Sequence, residues 1–316
     1  MKKILATIGM VVFLLGVTAG AFAADDVVKI GHLRITTSLA TYVAQEKGFF
    51  EQEGFKVELI PFDSGTTIVD ALIAGRIDVI GSTSITGFWF AAQAAPERFK
   101  IFLTFGTPSL KNPTFVAIVK KDSPLKTLKD LKGKKVGTYP GASSVALAKA
   151  IINTQLDPKE VTYTELPPPM LISALAAGQI DAFFAPEPDG MTARAKGVGR
   201  DLVKEPLGLL GIKEGFAGAA YGFSTKFLNE NPERAKKLKA AYYKAADLIN
   251  KDKDVFRPLL VKYTGVTDQV AKEVPIQLWI KVEQLNKQST QKYFDILYKQ
   301  GAFQQWLDTT KLYYEN

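Results

Sequence analysis

Apolar and polar positions follow the same order in two separate stretches of the chain. The first runs from Asp70 to Ser84 and the second from Ser173 to Glu187. Ala71-Leu72 matches Ala174-Leu175, Ala74-Gly75 matches Ala177-Gly178, and Ile77-Asp78 matches Ile180-Asp181. Each copy reads as the last turns of an apolar helix, a glycine stop and a short buried strand, Val79-Ile80 or Ala182 to Phe184. A polar loop, Gly81 to Ser84, follows the first strand. A kinked one, Pro186-Glu187-Pro188-Asp189, follows the second. Upstream, Lys29-Ile30-Gly31 and Lys135-Val136-Gly137 each begin a strand, followed by a hydroxyl-rich turn, a helix and another strand. The spacing from the Lys to the Ala-Leu pair is 42 residues in one copy and 39 in the other. Two β-α-β-α-β units on one plan predict two similar α/β lobes with a cleft between them.

The same periodicities assign the rest. Val27 to Leu33 reads as a strand. Leu39 to Glu53 reads as one helix stopped at Gly54, and Phe55 to Pro61 as a strand. Asp63 to Thr66 caps the next helix. Ile85 to Ala95 forms another, ended by Pro96, before a strand from Ile101 to Phe105. Gly106 to Pro113 is rich in turn residues and reads as the first crossover between lobes. Thr114 to Lys120 is extended. Thr127 to Val136 gives a short helix, a glycine stop and a strand, and a helix then runs to Gln155. Ala217 to Lys226 returns the chain through the hinge. Asn231 caps a long amphipathic helix with Pro232 at its first position and its end near Lys251. Further helices are expected around Gln269 to Lys281 and from Ser289 to Gln300. The first lobe then comprises residues 24–110 and 226–316, and the second 111–225.

The first 23 residues stand outside this plan. Lys2 and Lys3, an apolar run from Ile4 to Val17, and Ala21-Phe22-Ala23 read as a cleaved signal peptide, so the mature protein is expected in the periplasm. Cleavage leaves 293 of 316 residues and takes the net charge from +8 to +6, because only Lys2 and Lys3 are lost. That length supports a sizeable core in one large domain or two lobes. There is no cysteine, which excludes a lipid-anchored lipoprotein, disulfides, thiolate metal sites and cysteine nucleophiles. The basic residues are dispersed, without the arginine-rich or aromatic-interleaved blocks of a nucleic-acid binder. They read as a solvated surface with mild steering of anions, and the chain as a monomer.

Ligands of α/β units sit beyond the carboxyl ends of the strands, at the N-termini of the following helices. Four turns there are rich in hydroxyls and glycine: Arg34, Thr36, Thr37 and Ser38; Ser64, Gly65 and Thr66; Ser82, Thr83 and Ser84; Tyr139, Gly141, Ser143 and Ser144. Helix N-termini offer free N–H groups and a positive dipole end, so the four together suit an anion. Any one hydroxyl serves equally as a helix cap. Arg34 offers a bidentate partner for a sulfonate or carboxylate, or is a surface arginine at a strand end. Glu187 meets a ligand amine or an arginine, or closes a loop salt bridge. His32, the one histidine, reads as core or rim. Phe88-Trp89-Phe90 fall on consecutive helical positions, so at most two face the cleft. Asp78 and Asp181, at equivalent places in both copies, are assigned to local backbone donors. No G-x-S-x-G, H-E-x-x-H, P-loop or G-x-G-x-x-G stands in the right context, and a single histidine leaves little room for a metal site or a triad. No enzyme activity, metal or cofactor is expected.

Tyr42 to Gly54 resembles the Y-x-A-x-E-x-G-F-F-x-x-x-G segment of the periplasmic solute-binding proteins of ABC importers, in the nitrate, sulfonate, taurine and thiamine-pyrimidine-precursor group. Ala71 to Asp78 resembles its A-L-x-x-G-x-I-D element, repeated at Ala174 to Asp181, and Asp130 to Val136 its D-L-K-G-K-x-V element. The resemblance spans nearly the whole mature chain. It implies a hinged, two-lobed periplasmic-binding-protein fold of type II, each lobe a mixed, mostly parallel sheet flanked by helices. The cleft closes on a small molecule that is delivered to a membrane permease. Carried onto the matching loops, the contacts are the residues of the four turns and Glu187. Two departures stand out. Alkanesulfonate and taurine binders often carry a tryptophan near the end of the second repeat strand, where this chain has Ala185-Pro186-Glu187. The cysteine-rich motif and substrate histidine of the yeast-type pyrimidine synthases that share the fold are absent.

The leading expectation is a receptor for a small anionic or zwitterionic compound, aliphatic sulfonate or taurine-like. The alternative ligand is a thiamine pyrimidine or other heterocycle, stacked on Tyr139 and Trp89 with Glu187 accepting from ring amines. The alternatives of other classes are an enzyme on the same fold acting on a chorismate-like acid, and a sensory receptor for a membrane partner.

Overall fold

The computed structural model describes residues 27–106, 113–211 and 215–315. The expected signal peptide and most of the expected first crossover lie outside the described residues. In chain order the first half holds β1 (Val27–Leu33), α1 (Leu39–Glu46), α2 (Phe49–Gln52), β2 (Lys56–Phe62), α3 (Gly65–Ile73), β3 (Val79–Ser84), α4 (Ile85–Ala92) and β4 (Phe99–Phe105). The second half continues with β5 (Phe115–Lys120), β6 (Lys135–Thr138), α5 (Ala142–Ile152), β7 (Thr162–Glu165), α6 (Pro168–Ala176), β8 (Ala182–Pro186), α7 (Asp189–Ala195) and β9 (Gly199–Val203). The remainder is β10 (Ala219–Ser224), α8 (Thr225–Glu230), α9 (Pro232–Lys251), α10 (Arg257–Thr264), α11 (Asp268–Glu273), β11 (Trp279–Lys281) and α12 (Lys287–Lys299). Among the described residues no helix is long and apolar enough to cross a membrane.

Two mixed sheets form, in the orders β11-β4-β10-β3-β1-β2 and β7-β6-β8-β5-β9. The two repeat copies build equivalent parts of them. β1 lies between β2 and β3, and β6 between β7 and β8, all parallel. One antiparallel strand then continues each sheet, β10 beside β3 and β5 beside β8. β10 therefore belongs to the first sheet, although a boundary at residue 225 assigns it to the second lobe; its backbone bonds to β3 and β4 hold it there.

The repeated residues have repeated jobs. The Asp78 carboxylate accepts from the Lys29 N–H at 2.9 Å, and the Asp181 carboxylate from the Lys135 N–H at 2.8 Å. Each thus ties the start of its parallel strand pair, as assigned from the sequence. Gly75 and Gly178 end α3 and α6 with φ of 70° and 72°, a region that costs glycine nothing. A Cβ on Gly31 would lie 2.6 Å from Ile77 Cδ1, and one on Gly137 would lie 2.7 Å from Ile180 Cδ1. The glycine of each Lys-x-Gly and the isoleucine of each Gly-x-Ile-Asp thus share one packing contact per lobe.

Four elements differ from their expected course. The helix expected from Leu39 to Glu53 is two, because Gly48 is left-handed at φ 65° and breaks it after Lys47. The strand expected at Val79-Ile80 runs on to Ser84, since its polar end is paired with β10. The segment around Gln269 to Lys281 is helical only to Glu273; Pro275 forces Val274 into an extended conformation, and Trp279–Lys281 pair with β4. α9 begins at Pro232 as expected, but the Asn231 side chain makes no capping bond.

Candidate functional site

A cavity of about 90 Å³ lies between the two lobes. A single water needs roughly 10–15 Å³ by the same kind of measure, so there is room for several heavy atoms. Its polar wall comes from Thr37, Gly65, Thr83, Ser84 and Thr86 of the first lobe and Thr114, Tyr139, Ser143 and Ser144 of the second. Its apolar wall comes from Leu33, Ile35, Phe105, Phe115, Leu147, Pro186, Leu207, Ala219 and Tyr293. No charged side chain among the described residues lines it.

Three helices of eight or more residues, α3, α4 and α5, begin at this cavity. Their first N–H groups have no partner within the helix, and their dipoles are positive there. The point of convergence is Gly65. A Cβ built on it would lie 2.9 Å from Thr83 Oγ1, 3.6 Å from Ser84 Oγ and, across the cleft, 3.8 Å from Ser143 Oγ. Thr83 Oγ1 is buried with no hydrogen-bond partner among the described residues. Ser84 Oγ accepts from the Gly87 N–H at 3.2 Å and from the Thr86 hydroxyl at 3.1 Å. Its acceptor capacity is used, and its own proton is left to donate.

A β-bulge aims this wall. Between the pairs Ala220↔Thr83 and Gly222↔Ile80, the two residues Gly81 and Ser82 of β3 oppose Tyr221 alone. Ser82 is fully buried at φ 123°, a conformation that strains any residue with a Cβ. Its hydroxyl meets Thr37 Oγ1 at 2.7 Å. The bulge shifts the pairing register just before Thr83 and Ser84, and Ser82 fixes Thr37 from behind.

Of the fifteen residues singled out from the sequence, Thr37, Gly65, Thr83, Ser84, Tyr139, Ser143 and Ser144 line the cavity. The other eight do not. Ser38 donates to the Leu33 carbonyl at 2.7 Å. Ser64 caps α3, accepting from the Thr67 N–H at 3.2 Å. Thr36 is buried, and its N–H reaches across the lobes to the Glu187 carbonyl at 3.4 Å. Thr66 packs across the cleft on Gly141, where a Cβ would lie 2.9 Å from Thr66 Cβ and φ is 107°. Ser82 supports Thr37 as described.

Glu187 is the loop ion pair. Its Oε1 takes Arg194 Nη2 at 2.5 Å, its Oε2 accepts from the Met191 N–H at 2.8 Å, and Arg194 also reaches Asp201 at 2.6 Å. Burial pushes the Glu187 carboxyl above its usual range, and Arg194 only partly opposes this. Arg34 is exposed and off the cavity. Leu33 and Ile35 both line it, while the Arg34 side chain between them, just past the end of β1, is exposed. Arg34→Ala should therefore leave affinity for an anionic ligand within about twofold of the parent, read by titration calorimetry; a tenfold loss would return Arg34 to the site.

Sequence reasoning missed Thr86, Thr114 and the whole apolar wall. Thr86, two residues after Ser84 at the start of α4, had a positional signal. Phe105, Leu207 and Tyr293 come from distant elements and had none. His32 is buried as expected, with Nδ1 3.0 Å from the Tyr42 hydroxyl and its pKa lowered chiefly by burial. Trp89 is fully buried, edge-on to Tyr293 with centroids 5.1 Å apart, so it stands behind the cavity wall.

The family model described as NMT1/THI5 like matches residues 35–254. A putative aliphatic sulfonates-binding protein of Bacillus subtilis (strain 168) is 30% identical over 258 residues, covering 78% of this chain and 73% of that protein. The nitrate import ATP-binding protein NrtC of Synechocystis sp. is 25% identical over 219 residues, 64% of this chain; the chain spans only 32% of that protein's length. Among solved structures, the alkanesulfonate-binding protein SsuA from Xanthomonas axonopodis pv. citri, bound to MOPS, superposes with a TM-score of 0.74 at 21% identity, over 93% of this chain and 100% of that one. That likeness is one of fold. The chain belongs to the NMT1/THI5-like family, and its two-lobed architecture is that of the periplasmic binding proteins.

Proposed function

We propose that this protein is the periplasmic ligand-binding component of an ABC importer, exported by a cleaved signal peptide, and that it captures a small oxyanion, an aliphatic sulfonate first, for a membrane permease. The observation that carries the reading is the meeting of Thr83, Ser84 and Ser143 around Gly65 at the starts of three helices. Hydroxyl donors and helix dipoles would balance the anionic group without a cation. The apolar wall suits a short aliphatic body. Both lobes would touch the ligand together only when closed, so binding would shift the population toward the closed form. The heterocycle reading is less well supported, since Glu187 is held by Arg194 and Trp89 lies behind Tyr293.

The test is a thermal-shift panel on refolded, ligand-free mature protein with alkanesulfonates, taurine, nitrate, bicarbonate, dicarboxylates and hydroxymethylpyrimidine. A ligand at 100 times its Kd stabilises by about 2.7 kcal/mol. Shifts with sulfonates are the expected result. A shift with the pyrimidine alone would overturn the oxyanion reading.

A further inference from the structure

Among the described residues, the side-chain hydrogen bonds of the cavity wall reach one charged group, Asp189. Tyr139 is 5% exposed, lines the cavity, and donates its hydroxyl proton to Asp189 Oδ2 at 2.9 Å. A phenol has one proton. With that proton committed to a carboxylate, the hydroxyl has only lone pairs left to offer. Tyr139 is then an acceptor in a cavity whose other marked groups, Thr83 and Ser84, are donors in want of an anion.

Asp189 does not itself line the cavity, and among the described residues no cation is bonded to it. The nearby guanidinium of Arg194 is taken by Glu187 and Asp201. Among the described residues, Tyr139 is the cavity-lining side chain that is hydrogen-bonded to Asp189. A ligand group that donates to Tyr139 would complete the chain from donor to phenol to carboxylate, and a positively charged donor would also offset the carboxylate charge.

We propose that Asp189 is a positioning residue that makes Tyr139 the reader of the ligand's tail, so that the site prefers a short sulfonate whose far end carries a hydroxyl or an ammonium over its plain alkyl analogue. The inference rests on the oxyanion reading above and goes beyond it by specifying the other end of the molecule. Burial, with Glu187 adding to it, pushes the Asp189 carboxyl up to about 7, so the ionised, proton-accepting form dominates only above that pH.

The experiment is calorimetry at pH 8 with ethanesulfonate, 2-hydroxyethanesulfonate and 2-aminoethanesulfonate, which differ only in their last group. The parent protein should bind the latter two about tenfold tighter than the first, the effect of one well-placed hydrogen bond. Asp189→Asn should erase most of that ratio, because the amide can donate to the phenol oxygen and turn its proton toward the cavity. Tyr139→Phe should erase it too, and adding Asp189→Asn to Tyr139→Phe should change the ratio no further, since Asp189 acts on it through the hydroxyl. The ratio is the readout because general damage to the site would weaken all three ligands alike. Equal binding of the three to the parent, or a ratio that survives Asp189→Asn, would overturn this inference alone. Failure of all three to bind the parent would overturn the sulfonate reading and this inference with it.

Discussion

Gly65→Ala is expected to abolish ligand binding while leaving the protein folded. Gly65 is the first residue of α3 and has no left-handed φ, so alanine is compatible with its backbone. Helix propensity favours alanine over glycine by up to about 1 kcal/mol. The added methyl, however, would stand 2.9 Å from Thr83 Oγ1, closer than Cβ atoms approach a neighbour, and within 4 Å of Ser84 Oγ and Ser143 Oγ. It would occupy the point toward which both lobes direct their hydroxyls. Affinity should fall by at least about a hundredfold, near 2.7 kcal/mol, while the apo protein still melts cooperatively, its melting temperature lowered by the shift Thr83 must make to admit the methyl. Calorimetry and an apo thermal scan on one preparation separate the two effects. Binding at parental affinity would show that the ligand sits elsewhere.

Thr83→Val should move stability and binding in opposite directions. Thr83 is fully buried and its hydroxyl has no partner among the described residues, so the apo protein bears the desolvation of a polar group without a protein hydrogen bond in return. Valine keeps the shape, removes the oxygen and suits a strand. The apo protein should gain about 1–3 kcal/mol, while affinity for an oxyanion falls roughly ten- to hundredfold with the loss of a donor. A structural hydroxyl would behave differently: its removal would destabilise the apo protein and leave affinity alone. Destabilisation with unchanged binding would therefore take Thr83 out of the site.

What the sequence made legible was whatever recurs or is local. The repeat gave the two lobes, Gly75 and Gly178 gave the helix ends, and the pairing of Asp78 and Asp181 with backbone donors followed from their equivalence. The hydroxyl-rich turns pointed to the cavity because a helix N-terminus is fixed by its immediate neighbours. Side-chain direction was less legible. Arg34 carried the attractive chemistry, but it stands just past the end of β1, where no strand period fixes the direction of a side chain. Glu187 is neutralised by a residue only seven positions on, yet the pairing needs α7 to turn Arg194 back over the loop. The extension of β3 through Ser84 was hidden because its partner, β10, lies on the far side of the second lobe in sequence. The apolar wall was invisible for the same reason, since it is assembled from segments that share no local pattern.

The place of β10 also bears on the order in which the molecule can fold. In the first sheet β3 and β4 do not pair with one another; β10 lies between them and holds both. Until the chain has been made past Ser224, β3 and β4 each present an unpaired edge, the kind of edge that invites wrong partners. The second sheet has no such gap, because β5 to β9 all come from one continuous stretch of chain, Phe115 to Val203. Its contacts are the more local, and local contacts form faster. As the chain emerges from its N-terminus, the second lobe can close its sheet while the first still waits for β10. The lobe that is begun first is finished last.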